Sequence, residues 1–356
     1  MSLFNDMLKS DESLFKNDVA LDFSFQPKVL LYREQEQRYI AACIKPLLQE
    51  RNGKNIFLYG RPGIGKTTAV IHVKKELEEE YDETYPLYVN CWQKNTSFKV
   101  IVDICDQLGY KFTQNKKTEE LFKIIANMIN RKSAVFIFDE IDKVEDFDFL
   151  YTILEKIYRK SILLITNHKD YLLNIEDRIR SRLAPDMLEF RPYNREETKG
   201  ILEQRKSLGF HPGVWEDPAF SKVVEKAHEV EDIRSGLHIM KEAGLNAEAE
   251  SSRKIEPKHV EKAIEKLSQM SIKDSGDLED ESRFILNIIK SNTGKRIGEI
   301  FKAYQSEGGE SSYKTFQRKI QKLADNKFVN VKKITGGTEG STTIVNYLRT
   351  KKLTDF

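Results

Sequence analysis

This chain of 356 residues has little of several features that would assign a protein to a class at once. Its three cysteines, Cys43, Cys91 and Cys105, show no CxxC spacing and no nearby histidine pair, which argues against a disulfide framework or a zinc site. No stretch approaches the roughly 20 apolar residues of a membrane span, and no basic patch leads into an apolar run near residue 1. No internal repeat is visible. We therefore expect a soluble, cytoplasmic protein without a membrane partner, whose cysteines are buried thiols.

A strong net charge is also missing, because 58 Lys and Arg nearly balance 56 Asp and Glu and leave +2. The two parts of the chain differ, however: residues 283–356 carry a net charge of +9 and the first 282 residues carry −7. A compact basic segment is typical of proteins that bind a polyanion, although a solvated lysine-rich surface has the same composition.

One motif has a specific chemistry. The stretch GRPGIGKT matches the phosphate-binding pattern G-x-x-x-x-G-K-[ST] at each fixed position, between an apolar strand and an amphipathic helix. Its glycines let backbone N–H groups close around phosphates, Lys66 reaches the β and γ phosphates, and the Thr67 hydroxyl can ligate Mg²⁺. The residues expected to bind ATP or ADP here are Gly60, Pro62, Gly63, Ile64, Gly65, Lys66, Thr67 and Thr68.

Polar residues follow two later apolar strands. AVFIFDEID delivers Asp139, the expected second Mg²⁺ ligand beside Thr67, and Glu140, expected to orient and activate the attacking water. ILLITN ends in Asn167, whose amide could hold that water or the γ phosphate. A surface acidic pair and a simple turn asparagine are the alternatives. No second substrate constellation accompanies the motif, so metabolic chemistry is not favoured.

Arginines suggest how hydrolysis is controlled. Arg178 and Arg182 lie four residues apart in EDRIRSRL, hence on one helical face, while Arg180 points elsewhere. Either could act as a finger on the γ phosphate of a neighbouring subunit, or simply belong to a solvated basic helix or form salt bridges to local acids. Arg234, in VEDIRSGL, could fold back on the nucleotide.

The chain predicts several domains. Short apolar runs alternate with amphipathic helices (67–80 and 118–129) and predict parallel strands at 55–59, 87–90, 134–139 and 162–166. The predicted organisation is a doubly wound α/β domain over residues 1–191, a helical domain over 192–270, an acidic mobile linker over 271–282 and a basic domain over 283–356.

The basic domain reads as three helices followed by two strands with a glycine-rich tip, the order of a winged helix-turn-helix. In its third helix Phe316, Ile320 and Leu323 should face the core, and Ser311 could cap the helix. Other residues are suited to DNA bases and phosphates: Lys314, Gln317, Arg318, Gln321, Lys322, Lys332, Lys333 and Gly337. Docking of a protein is the alternative use of such a domain.

The order of these motifs resembles the AAA+ ATPases and, more narrowly, the archaeal origin-recognition and cell-division-control initiators. The resemblance implies an AAA+ P-loop three-layer α/β domain, a helical lid and a winged helix. It also implies that Val29 and Leu30 wall the adenine, that Tyr193 approaches from the lid, and that residues near 92–117 carry a DNA-touching helical insertion. The family shows Gly-Asp-x-Arg at the lid arginine, whereas here Glu231 replaces the glycine, which leaves the approach of Arg234 open.

The resulting hypothesis is a nucleoid-associated, ATP-regulated initiator that binds duplex origin DNA, hydrolyses ATP slowly with Mg²⁺ and assembles with other initiator protomers. By resemblance, it recruits or loads the MCM helicase. Two alternatives are a RuvB-like DNA motor, which would form a closed hexamer with rapid DNA-stimulated hydrolysis, and an ATP-gated regulatory scaffold whose winged helix binds protein.

Overall fold

The structure is a computed structural model and describes residues 13–276, 280–309, 311–325, 328–334 and 342–347. The chain divides into two compact units, Met1–Ala263 and Ile264–Phe356. The boundary between them lies earlier than residue 283, where the sequence predicted the basic domain to begin. Within the described ranges, every helix is too short or too polar to cross a membrane.

The first unit is built on a parallel five-stranded sheet in the order β2-β3-β4-β1-β5. Its strands are β1 (Ile56–Tyr59), β2 (Thr84–Asn90), β3 (Ser133–Asp139), β4 (Lys160–Thr166) and β5 (Asp186–Glu189). The first four agree with the predicted strands, whereas β5 was not predicted. It is an edge strand of four residues without an apolar run, so it lacks the pattern that identified the others.

Side chains of successive strand residues point to opposite faces of the sheet, and an apolar core packs against each face. In β1, Phe57 and Tyr59 pack into one apolar cluster while Ile56 and Leu58 pack into the other, as the two-residue period of a strand requires. The helices around the sheet are α1 (Glu34–Ile44), α2 (Lys66–Glu80), α3 (Ser97–Gln107), α4 (Thr118–Ile129), α5 (Asp148–Lys156) and α6 (Asp177–Leu183).

A helical region follows the sheet, as the sequence predicted. It comprises α7 (Arg195–Gly209), α8 (Asp217–Glu229), α9 (Ile233–Ala249) and α10 (Pro257–Gly276), the last of which includes the boundary between the units. Asn194 begins α7 with a capping box: its side chain accepts from the Glu197 N–H, and the Glu197 carboxylate accepts from the Asn194 N–H.

The second unit continues with α11 (Asp280–Ser291), β6 (Lys295–Arg296), α12 (Ile297–Ser306), α13 (Tyr313–Asp325), β7 (Val329–Ile334) and β8 (Thr342–Tyr347). The strands form an antiparallel sheet in the order β6-β8-β7. These are the three helices and two strands that were predicted, with the two-residue β6 in addition. Phe316, Ile320 and Leu323 of α13 are buried in one core, as predicted.

Most of the segment predicted as a mobile linker is helical: residues 271–276 belong to α10 and 280–282 to α11, and residues 277–279 lie outside the described ranges. Its mobility stays a prediction. One local expectation was wrong. The cap of α13 is Ser312 rather than Ser311, because the Thr315 N–H donates to Ser312 Oγ at 3.3 Å. Ser311 instead donates its N–H to the Tyr304 hydroxyl at 3.1 Å.

Candidate nucleotide site and DNA-facing surface

The parallel register brings the ends of three strands together at one edge of the sheet. Tyr59 pairs with Thr166, and Phe138 pairs with Leu164, so the segments after β1, β3 and β4 leave the sheet side by side. A cavity of about 530 Å³ opens at this edge and is lined both by these segments and by residues of α7 and α9. This is where parallel α/β sheets place their ligands.

The phosphate loop connects β1 to α2. Gly63 has φ of +73° and Gly65 has φ of +89°, a backbone conformation that favours glycine. Lys66 Nζ donates to the carbonyl oxygens of Gly60 and Arg61 and to Asn167 Oδ1, each at 2.8 Å. Burial lowers the pKa of Lys66 to about 8, although the nearby Glu140 and Asp139 carboxylates oppose the shift. An ammonium group and a glycine loop at a helix start fit a polyphosphate.

Two oxygen groups that could hold a magnesium ion lie together. The Thr67 hydroxyl donates to Asp139 Oδ2 at 2.8 Å, and hydroxyl and carboxylate oxygens are the donors that Mg²⁺ prefers. The same oxygen accepts from the Tyr88 hydroxyl at 2.8 Å. Burial raises the pKa of Tyr88, so this hydroxyl remains a donor. The sequence analysis did not predict Tyr88. The sequence feature that could have identified it is a tyrosine, with its polar hydroxyl, between the buried Leu87 and Val89 of β2.

Asn167 joins the lysine to the expected catalytic carboxylate. Its Oδ1 accepts from Lys66, and its Nδ2 donates to Glu140 Oε2 at 3.3 Å. Glu140 itself has φ of +53°, an uncommon conformation for a non-glycine residue that turns the chain directly after β3. Burial and the neighbouring Asp139 and Asp142 raise the pKa of Glu140. The structure therefore brings together Lys66, Asp139, Glu140 and Asn167, as the sequence predicted.

The apolar end of the cavity differs from the expectation in one residue. Leu30 and Tyr193 line the wall. Val29 does not: it is 60% exposed, and its carbonyl accepts from Gln204 Nε2 at 3.0 Å. Phe23, Phe25 and Leu31 are among the other apolar residues of the wall.

The other residues predicted for the loop divide between two positions. Gly63, Gly65, Thr67 and Thr68 line the cavity, whereas Gly60, Pro62 and Ile64 belong to the loop but do not line it.

Arg205 of α7 holds this wall and was also not predicted. It is buried, and its guanidinium donates to the carbonyls of Ala20 at 2.8 Å and Phe25 at 2.9 Å. Burial lowers its pKa to about 10. The sequence pattern indicates part of this role. Arg205 follows the buried Ile201 by four residues and so lies on the apolar face of its helix.

The turn between α8 and α9 lies against the phosphate loop. Glu231 has φ of +55°, the conformation that a glycine adopts readily, and its carboxylate pairs with Arg61. A Cβ atom on Gly63 would lie 1.8 Å from Asp232 Oδ1, which shows how closely the turn approaches. Glu231 thus adopts the left-handed conformation of the glycine that the family pattern has at this position. Arg234, three residues later, lies on the cavity wall.

Comparison with known proteins places this site in a family. A profile described as an NB-ARC domain matches residues 36–189, and one described as a Cdc6 AAA+ ATPase-type lid domain matches residues 199–265. The chain is 30% identical over 340 residues to the ORC1-type DNA replication protein 2 of Archaeoglobus fulgidus, and the alignment covers 92% of this chain and 89% of that protein. The chain belongs to the ORC1-type DNA replication protein family.

Solved structures agree with this assignment. The Aeropyrum pernix ORC1 protein in complex with DNA has a TM-score of 0.75 at 25% identity and covers 96% of this chain and 94% of its own. The ADP form of the Aeropyrum pernix ORC2 protein shares the fold, with a TM-score of 0.66 at 20% identity and 94% coverage of both chains. The AAA+ fold and the family resemblance drawn from the sequence are thus confirmed, and the ORC1-type chain has an AAA+ nucleotide-binding ATPase domain with a helical lid.

In this ORC1-type protein the two candidate finger arginines share one face, as predicted. The guanidinium carbons of Arg178 and Arg182 lie 4.9 and 5.1 Å from the centre of the Tyr151 ring. Arg178 also pairs with Glu176 at 2.7 Å, and Arg180 pairs with Asp177. Arg178 and Arg182 are exposed and lie outside the wall of the cavity. Their role as fingers stays a prediction.

The region predicted as the helical insertion contains α3. Its buried residues Val100, Ile101 and Ile104 belong to the core of the first unit, so this helix is packed rather than detached. Trp92 and Phe112, on either side of it, are 66% and 76% exposed. DNA contact by this region remains a prediction.

The predicted DNA-facing side of α13 is exposed. Lys314, Gln317, Arg318 and Gln321 lie at its surface, opposite the buried Phe316, and Lys332 of β7 is exposed as well. The side chains of Lys322 and Lys333, and Gly337 entirely, lie outside what the structure describes.

Proposed function

We propose that this protein is an ATP-regulated replication initiator that binds duplex origin DNA through its C-terminal unit. The observation that carries the proposal is the extent of the similarity, since the alignment with the Archaeoglobus fulgidus relative spans 92% of this chain. It therefore includes the nucleotide site and the basic C-terminal unit together. Either feature alone occurs in proteins of many functions.

The nucleotide site supports a hydrolytic switch. Magnesium-bound ATP would supply the phosphoanhydride bond that is cleaved. Thr67 and Asp139 would hold the metal ion, which together with Lys66 would neutralise phosphate charge. Glu140 accepts the proton of the attacking water, and its hydrogen bond from Asn167 fixes the direction of the carboxylate.

We propose that hydrolysis is slow in an isolated protomer because the finger arginine comes from a neighbour. The exposure of Arg178 and Arg182, away from the wall of their own cavity, supports this arrangement. A mixture of Glu140→Gln protomers with Arg178→Ala/Arg182→Ala protomers tests it. Because the first retains the arginines and the second retains the carboxylate, the mixture should hydrolyse ATP on DNA faster than either variant alone. Equal rates would contradict a finger acting between protomers.

The exposed face of α13 supports DNA binding. Replacing Arg318 by alanine should weaken duplex binding and lower the slope of log Kd against log salt by about one. Arg131→Ala is the matched control, because it removes the same charge from an exposed position in the first unit. Fluorescence anisotropy at several salt concentrations gives both values. Equal effects of the two substitutions would show that net charge, rather than α13, governs binding.

Footprinting on genomic duplex fragments, with ATP and with ADP, separates an initiator from a motor. We expect protection at few sites, with an extent that depends on the nucleotide. Uniform protection of every fragment would favour a RuvB-like motor, and no DNA binding at low salt would favour the scaffold. Recruitment of the MCM helicase and association with the nucleoid belong to the same proposal through family membership, and co-purification of MCM on origin DNA tests the first.

A further inference from the structure

Arg33 is a fully buried arginine, 0% exposed, at the start of α1. A guanidinium group is costly to bury unless its N–H donors find acceptors. Its charge is paired with Glu36, whose Oε1 lies 2.9 Å from Nη1. Its Nε and Nη2 groups donate to backbone carbonyls of two distant segments.

The first of these segments is the phosphate loop. Arg33 Nε and Nη2 both donate to the carbonyl oxygen of Ile64, at 3.2 and 3.0 Å. A peptide group is planar and trans, so the carbonyl of Ile64 and the N–H of Gly65 point in opposite directions. Holding this carbonyl towards Arg33 therefore turns the Gly65 N–H away from Arg33. Gly65 lines the nucleotide cavity at the start of α2, where backbone N–H groups bind phosphate.

The second segment connects β5 to α7. Arg33 Nη2 donates to the Arg191 carbonyl at 2.6 Å, and its guanidinium carbon lies 3.9 Å from the centre of the Tyr193 ring. The Tyr193 hydroxyl in turn lies against Gly65, where an added Cβ atom would be 2.8 Å away. One side chain thus contacts both the phosphate loop and the connection that leads from the sheet into the helical lid.

We propose that Arg33 is a positioning residue for phosphate binding, which holds the Gly65 N–H directed at the bound phosphate and couples the loop to the start of the lid. The inference rests on the nucleotide binding that the proposed function requires. Lysine cannot take the role, because an ammonium group has neither the planar fork that grips one carbonyl from two nitrogens nor a flat face for the Tyr193 ring.

The test compares a ligand that has phosphates with one that lacks them. Calorimetry gives the affinities of the full-length protein, Arg33→Lys and the exposed control Arg38→Lys for ADP and for adenosine. In Arg33→Lys we expect ADP affinity to fall about tenfold or more, the scale of a lost charged hydrogen bond, and adenosine affinity to fall less, because only the contact with Tyr193 bears on it. Arg38→Lys should change neither. A purely structural role would lower the melting temperature without altering the ratio of the two affinities.

A milder variant keeps the test decisive if Arg33→Lys does not fold. Glu36→Gln leaves the guanidinium in place but removes its ion pair, and should lower the ADP-to-adenosine ratio in the same direction by a smaller factor. An unchanged ratio in Arg33→Lys, or in Glu36→Gln where the first is unfolded, overturns the proposal. If the unsubstituted protein does not bind ADP, the nucleotide site itself is refuted rather than the role of Arg33.

Discussion

Raising the pH above about 8 should weaken ADP binding, because the phosphate-facing lysine then loses its charge. Lys66 is 7% exposed and donates to two backbone carbonyls and an amide oxygen, which are neutral acceptors. Burial accordingly lowers its pKa to about 8. A bound diphosphate would bring negative charge to Nζ and favour the ammonium form. The free protein therefore loses this proton in a pH range where the complex retains it.

The size of the effect follows from the pKa of about 8 in the free protein. The fraction of free protein that carries the ammonium group falls from about 0.9 at pH 7 to about 0.1 at pH 9, so the Kd for ADP should rise about tenfold between these two pH values. Full affinity is present below the pKa of the free protein and is lost above it. At pH 8, binding should take up about half a proton.

Titration calorimetry at pH 7, 8 and 9 measures the change in Kd, and buffers with different ionisation enthalpies at pH 8 measure the proton uptake. Adenosine is the matched ligand, since without phosphates its affinity should not follow the charge of Lys66. In Lys66→Met the ADP profile should be weak and flat. A pH-independent ADP affinity in the unsubstituted protein would refute the reasoning.

Three further predictions concern other residues. Glu140→Gln should retain ADP affinity but lower the ATPase rate about 10²-fold to 10⁴-fold, measured by phosphate release; unchanged turnover would remove Glu140 from the mechanism. Glu231→Gly should be about 1 kcal/mol more stable to unfolding than Glu231→Ala. Both variants lose the ion pair with Arg61, but only alanine keeps the left-handed strain. Equal urea midpoints would contradict this. Phe316→Ala should cost about 3 to 5 kcal/mol in urea unfolding, whereas the exposed Lys314→Ala should change it by less than about 0.5 kcal/mol.

The residues of the nucleotide site were predictable because binding a phosphate requires certain residue types at fixed, short distances along the sequence. A loop that must present N–H groups, one ammonium group and one hydroxyl to the same ligand needs them within eight residues, from Gly60 to Thr67. Asp139 and Asn167 are far apart in sequence, but each directly follows or ends an apolar strand. Parallel strands align their carboxyl ends, and so the sheet brings these residues together without any further information.

The residues that support the site were harder to find, since their partners are backbone atoms of distant segments. Arg205 binds carbonyls 185 and 180 residues away, and no local pattern identifies which carbonyl a buried arginine will meet. The same limit applies to β5, whose position is set by pairing with β1 rather than by its own four residues. A local pattern also gave a wrong cap for α13. Ser311 and Ser312 are equally suited by sequence to cap this helix, and the hydrogen bond between Ser311 and Tyr304 distinguishes them.

The contacts that hold the phosphate loop also connect it to the lid. Three parts of the chain hold this loop: Arg33 at the carbonyl of Ile64, Asn167 at Lys66, and Glu231 of the lid at Arg61. A ligand shifts an equilibrium only through contacts that differ between its states. The pair between Arg61 and Glu231 is open to solvent, with 67% of the Arg61 side chain and 33% of the Glu231 side chain exposed. It contributes at most about 1 kcal/mol, so by itself it would change lid populations no more than a few-fold. Larger coupling must come from the buried contacts of Arg33 or from contacts of the nucleotide with lid residues on the cavity wall, such as Arg234. Coupling is reciprocal: if nucleotide closes the lid, a partner that closes the lid must tighten nucleotide binding by the same factor.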